Sequence, residues 1–303
     1  MKLLGAQKAV GYLTFTGEDG VEVPEGYLAE TTAGEQYITL QSGVITSGSV
    51  TLSATAVVPG PDGNTEKNTI TNIVNPMSGI EAVTNASAFE GGRNTETDAE
   101  FRERYYLSVD FAGGVNIDAI VAEIYESVEA VIAVAGEEND TDVQRESGVP
   151  PHSIEIIAYG GLDEDVAGAI FRRKAAGIQT YGNTSVSVVS SAGTTHKIKF
   201  SRPTPVNVWV KITGLKTDSV FPLDGIDRIK QNIVEYIGSN TRGGMAIGQD
   251  VICVTLPTEV LKVPGVVDFD LQISSNGSAF SRENITIAAR EKAVTDESKV
   301  TVE

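Results

Sequence analysis

Turn signals recur so often in the first third of this chain that it can hold only short strands. Between residues 11 and 58 they stand at Gly17-Glu18-Asp19-Gly20, Pro24-Glu25-Gly26 and Ser42-Gly43, too closely spaced for helices of ordinary length. The longest predicted strand is 49–58. There Val50, Leu52, Ala54 and Ala56 alternate with Thr51, Ser53 and Thr55, the period of two of a half-buried strand. Pro59-Gly60-Pro61-Asp62-Gly63-Asn64 stops it, the polar run to Pro76 reads as an extended excursion, and 80–84 as a returning strand.

The pattern changes after Glu90. Thr97-Asp98-Ala99-Glu100 has the spacing of a capping box and opens a predicted helix over 98–109, which Gly113-Gly114 breaks. Asn116 then caps a second helix with Ile117, Ile120, Val121, Ile124 and Val128 on one stripe. Two α/β units follow. The first has strands near 131–136 and 154–159, a helix over 164–174 capped by Asp163, and strands at 185–189 and 197–200. The second has a strand at 206–213 and a helix over 225–237 with Ile226, Ile229, Ile233 and Ile237 at helical spacing. Short strands at 285–288 and 299–302 end the chain. Val128-Glu129-Ala130-Val131 and Val263-Pro264-Gly265-Val266 stand at equivalent helix-to-strand positions, a faint internal repeat. The expected fold is α+β and multidomain: a β-rich domain over 1–90, a central helical and α/β domain over 91–204, and a C-terminal α/β domain over 205–303, with mixed or antiparallel sheets. A chain of 303 residues is long enough for several cores.

Chemistry is sparse. His152 and His196 are the two histidines, both read as surface residues at strand starts. There is no H-E-x-x-H, no G-x-S-x-G and no Walker lysine. Glu137-Glu138-Asn139-Asp140-Thr141-Asp142 offers oxygen ligands without the spacing of a calcium loop, and Asp268 and Asp270 are i, i+2 neighbours on a strand. Cys253, the single cysteine, lies in the apolar run Val251-Ile252-Cys253-Val254 and reads as a buried hydrophobe. No catalytic, cofactor-binding or metal-binding residue is therefore assigned. A net charge of −18 opposes phosphate binding and argues against a nucleic-acid partner. The most basic stretch, with Lys197, Lys199, Arg202, Lys211 and Lys216 around Trp209, reads as a solvated or protein-facing strand surface. Trp209 should be covered by a helix of its own domain, the alternative being a partner surface. Gln7 and Lys8 interrupt the apolar start Met1-Lys2-Leu3-Leu4, and no run approaches the ~20 apolar residues of a membrane span. A soluble chain made without a secretion signal is expected, so Asn85-Ala86-Ser87 carries no weight as a glycosylation site.

The segment Gly91-Gly92-Arg93-Asn94-Thr95-Glu96-Thr97-Asp98-Ala99-Glu100-Phe101-Arg102-Glu103-Arg104 resembles the baseplate J-like family of contractile phage tails and related injection machines. Gly11-Tyr12-Leu13-Thr14-Phe15-Thr16-Gly17 and Asp62-Gly63-Asn64 are similar to its β domain. Pro150-Pro151-His152-Ser153-Ile154-Glu155, the run from Lys174 to Thr184 and Phe200-Ser201-Arg202-Pro203 are similar to its middle domain in versions from Gram-positive phages and prophages, and Val263-Pro264-Gly265-Val266 to its C-terminal part. Family members carry a segment before the first β domain, where only about ten residues precede Gly11 here, so a shorter member or a truncated chain is implied. The resemblance implies a non-catalytic wedge subunit of the virion tail baseplate, assembled in the host bacterial cytoplasm. Its partners would be other baseplate and tail proteins and further copies of itself, with no membrane insertion. A receptor- or glycan-binding tail component is the alternative, resting on the β-rich start and Trp209.

Overall fold

The computed structural model describes residues 4–98, 101–102, 115–241 and 243–303. The fold is α+β, with several separate sheets. The first part holds β1 (Val10–Gly17), β2 (Glu22–Val23), β3 (Leu28–Thr31), β4 (Gln36–Thr39), β5 (Gly43–Val44), β6 (Ser49–Ala56), β7 (Ile70–Ile73) and β8 (Ile80–Thr84). Six of these form one sheet in the order β7-β3-β4-β6-β1-β8. Its end strands approach each other, so the sheet curls into a nearly closed barrel. Asn85 bridges the gap. Its Oδ1 accepts the Thr69 and Ile70 amides, each at 3.0 Å, and its Nδ2 donates to the Glu66 and Ser87 carbonyls. With no exposed surface, Asn85 is not available as a glycan acceptor. The barrel core is Leu13, Phe15, Tyr37, Ile45 and Phe89 with their neighbours. The Tyr37 and Phe89 rings meet edge-on at 4.7 Å, and the Tyr37 hydroxyl donates to the Gly63 carbonyl at 2.9 Å.

Two expectations change here. The excursion before Pro76 contains β7, which pairs with β3. The second half of β6 is buried on both faces, including Ser53 and Thr55. Thr55 satisfies its hydroxyl on the Ala9 carbonyl, which lets a polar residue enter the interior.

Beyond the barrel, Thr97 O accepts the Phe101 amide at 2.9 Å. Glu100, most of the helix expected over 98–109, and Gly113-Gly114 lie outside the described residues. The middle unit begins with α1 (Ile117–Ser127), capped as expected by Asn116, whose Oδ1 accepts the Ala119 amide. It continues with β9 (Val131–Asn139), β10 (Ser153–Gly160), α2 (Asp163–Arg173), β11 (Gln179–Tyr181), β12 (Thr184–Val189) and β13 (Thr195–Phe200). β10 pairs antiparallel with β9 and parallel with β11, and β12 and β13 form a separate antiparallel hairpin. Helices α1 and α2 close over a core of Ile120, Ile124, Ile156, Val166, Ile170 and Phe200. Asp163 does not cap α2. Leu162 holds the cap position without a side-chain bond, because the Asp163 carboxylate turns to Arg202.

The C-terminal unit holds β14 (Thr204–Asn207), β15 (Trp209–Thr217), α3 (Gly225–Ile237), α4 (Pro257–Leu261), β16 (Val266–Ser274), β17 (Glu291–Val294) and β18 (Val300–Val302). The single strand expected over 206–213 is divided at Val208: β14 runs parallel to β17, while β15 lies between β16 and β18. The strand expected over 285–288 is only a bridge from Ile285 to Val251, and the true strand follows at β17. Ile229, Ile233 and Ile237 enter the core as expected, whereas Ile226 remains exposed at the first turn of α3. No described helix is long and apolar enough to cross a membrane.

Candidate functional site at the three-unit junction

Glu90, Gly91 and Gly92 lie where all three units meet. Gly92 touches the barrel: a side chain on it would meet the Gly60 carbonyl oxygen at 2.4 Å. Asn64 fixes it from both sides, with its Oδ1 accepting the Gly92 amide at 2.9 Å and its Nδ2 donating to the Gly92 carbonyl at 2.8 Å. The Asp62-Gly63-Asn64 turn and the glycine pair, distant in sequence, are therefore one piece of structure. Gly91 faces the other two units. Its amide donates to the Asn240 carbonyl of the C-terminal unit, and an added Cβ would stand 2.2 Å from Ala130 Cβ of the middle unit. Its φ of 83° also lies in the left-handed region that suits glycine.

The middle unit meets the barrel through a small apolar contact of Val10, Ala130 and Leu162, with Tyr12 packed beside it. The Tyr12 hydroxyl accepts the Asp163 amide at 3.1 Å and donates to Glu164 Oε2 at 3.0 Å, tying β1 to the start of α2. Burial raises the Tyr12 hydroxyl pKa above its usual range. The Tyr159 hydroxyl donates to Glu90 Oε1 at 3.3 Å. Burial, aided by the neighbouring charge of Glu66, pushes the Glu90 carboxyl up to about 7, against the opposing effects of the Tyr159 hydrogen bond and Arg202. A carboxyl that changes charge near neutral pH thus stands at the meeting point of barrel and middle unit.

Arg202 locks the turn after β10. It donates to the carbonyls of Ala158, Gly160 and Gly161 and to Asp163 Oδ1, at 2.6–3.0 Å, with its guanidinium 5.0 Å from the Phe200 ring centroid. The middle and C-terminal units are joined by Glu155, whose side chain is 1% exposed. Arg290 donates to both Glu155 oxygens at 2.7 and 2.6 Å, and the Ser201 hydroxyl donates to Oε1 at 2.5 Å. Beside this pair, Ile132, Ala133 and Tyr159 pack on Val294 and Ile247.

The other candidates lie apart from this junction. His152 contacts Asp142 at 2.9 Å, and His196 lies 4.9 Å from the Phe171 ring. The acidic run after β9 is engaged within its own loop: Glu137 accepts from Ser147, Arg145 pairs with Glu137 and Asp140, and Asn139 holds the Val143 and Val149 carbonyls. Asp268 pairs with Lys216, which holds its carboxyl below the usual range, and Asp270 pairs with Arg282. Cys253 is buried in the C-terminal core. Trp209 is half-buried within its own unit: Gly277 lies against its indole, and Lys299 Nζ, from a single 3-10 turn, is 6.0 Å from the ring centroid. The sequence reading missed Glu155, Tyr159, Asn240 and Arg290 as junction residues. Glu155 alone left a trace, an acid inside the otherwise apolar run Ile154 to Ala158.

The family model described as Baseplate J-like protein barrel domain matches residues 12–92. It spans the barrel and ends at the glycine pair, so the resemblance to the baseplate J-like family holds over this part of the chain. Among solved structures, a chain of the anti-feeding prophage baseplate, seen by cryo-electron microscopy with 6-fold symmetrisation, aligns over 97% of this chain and 77% of its own length. Identity is 12% and the TM-score 0.36, too low to establish a common fold. No curated protein matches.

Proposed function

We propose that this chain, whose barrel matches the baseplate J-like barrel domain, is a non-catalytic wedge subunit of a contractile phage-type tail baseplate. It joins other baseplate proteins and further copies of itself and passes on the contraction signal by rearrangement at protein interfaces. The family match over residues 12–92 carries this reading. The junction supports it, because three units fastened through a glycine turn and a few polar contacts suit the transfer of a displacement from one unit to the next. The Ser201 hydroxyl donates to Glu155, but that carboxylate is enclosed and held through both oxygens by Arg290, which suits a structural contact rather than a general base. Trp209 is half-buried with Gly277 against its indole, which leaves less of the ring free to stack on a sugar and weakens a glycan-binding reading.

Co-expression with neighbouring tail proteins tests the proposal, with recovery of a stoichiometric complex as the expected result. Failure of the full chain to join any such complex would overturn it. So would reproducible hydrolysis of a glycan, peptide or nucleotide that is lost when one acidic residue is replaced.

A further inference from the structure

Residues 166–217 contain no Asp or Glu but eight cations, in a chain whose net charge is −18. Most of these cations have a partner elsewhere: Arg172 and Arg173 bind Glu123, Arg202 binds Asp163, Lys211 binds Glu303 and Lys216 binds Asp268. Lys197 and Lys199 have none among the described residues, and both are exposed on β13. They project from the same face as Ser185 and Ser187 of β12, their direct cross-strand neighbours in the pairs Ser185↔Lys199 and Ser187↔Lys197.

The hairpin has one covered side and one open one. Val186, Val188, Ile198 and Phe200 turn inward to the middle core beneath α2. The outer side of β13 is covered by the rest of the unit: Thr180 Oγ1 accepts the Lys199 amide, and Ser201 exchanges backbone bonds with Ile156 and Ala158. The outer side of β12 carries no strand among the described residues. Edge strands ordinarily carry a charge or a proline that blocks further pairing. Among the other sheets, the edge strands β9 and β16 have Glu137, Glu138, Asp268 and Asp270, β14 has Pro205, and the uncharged edges β11 and β18 are only three residues long, itself a guard against further pairing. Thr184-Ser185-Val186-Ser187-Val188-Val189 has none of these devices.

We propose that β12 is a docking edge that accepts an extended segment of a partner protein carrying carboxylates at alternate positions. A strand added to β12 lies about 4.8 Å from it and about 10 Å from β13. The small side chains of Ser185 and Ser187 leave the intervening face low, so the long side chains of Lys197 and Lys199 can extend over them toward acids on the incoming strand. Main-chain bonds along β12 supply affinity, and the two lysines select the acidic segment. The inference rests on the hairpin alone and stands whether or not the chain works in a baseplate.

Amide hydrogen exchange on the full chain tests it, with an alternating Glu-Val peptide about eight residues long as probe. The expected result is slowed exchange over residues 185–189, with binding about tenfold weaker for the K197E/K199E variant. An alternating Lys-Val peptide should give no protection. A second variant, Ser187→Lys, places a blocking charge on the edge without touching the core and should also weaken binding. Absence of protection at millimolar Glu-Val peptide would overturn the proposal, as would equal protection by the Lys-Val peptide or undiminished binding to K197E/K199E. Displacement of the peptide by a single-stranded oligonucleotide would assign the lysines to nucleic acid instead and overturn it equally.

Discussion

A methyl group on Gly91 has no space to occupy, because Ala130 Cβ and the Ala130 carbonyl oxygen stand 2.2 and 2.5 Å from where it would lie. The positive φ adds backbone strain for any other residue. Gly91→Ala is expected to cost about 2–4 kcal/mol and to loosen the barrel from the middle unit. Thermal unfolding together with limited proteolysis between barrel and middle unit checks this. Glu90 gives a pH signature with a definite sign. Its folded pKa of about 7 lies above its ordinary value of 4.5, so the folded chain keeps a proton that the unfolded chain releases. Stability from this residue is highest below the unfolded pKa and falls as pH rises toward 7, after which it is flat. Glu90→Gln should remove that slope and stabilise the protein at about pH 8 by on the order of 2 kcal/mol. Denaturant titrations of both proteins across the window measure it, and parallel profiles would show that Glu90 does not carry the effect.

Among the elements, α1 and α2 are held by side chains that sequence patterns treat unequally. The Asn116 cap is local, three residues from the amide it binds, and Asn116→Ala should cost about 1 kcal/mol, readable as a lowered Tm. The clasp of Glu123 by Arg172 and Arg173 at 2.8 Å joins the two helices across some fifty positions and depends on how they pack. Asp163 shows the limit of local rules: it has the sequence context of a cap, yet its carboxylate faces the Arg202 guanidinium, a stronger charge-assisted partner. Glu155 and Arg290 bind β10 to the segment leading into β17. Arg290→Ala leaves the carboxylate enclosed without its counter-charge and should cost about 2–4 kcal/mol, reduced because the Arg290 side chain is 35% exposed. Replacing both residues with Gln and Met should cost less than Arg290→Ala alone, which a double-mutant cycle on unfolding free energies resolves.

Across the whole molecule, three separate cores are linked by small contacts, and the charge state of Glu90 acts at one of those links. Calorimetric unfolding is expected to separate into more than one transition at about pH 8 and to become more cooperative near pH 5.5, where Glu90 is protonated. Identical transitions at both pH values would show that the junction does not respond to protonation. Features that depend on near neighbours were legible in the sequence: the short strands set by recurrent turns, the Asn116 cap, Ile229, Ile233 and Ile237 of the α3 stripe though not Ile226, and the family likeness of the glycine pair and the Asp62-Gly63-Asn64 turn. The sequence also marked Cys253 as interior, since an apolar run leaves a small side chain few other places. Long-range packing set the rest: Asn64 grips Gly92, Gly91 presses on Ala130, Arg290 neutralises Glu155, Gly277 lies against Trp209, and the strand after Pro203 divides at Val208 between two sheets. Those pairings join residues tens to more than a hundred positions apart. Their partners are selected by the packing of whole units, so no local periodicity or capping signal encodes them.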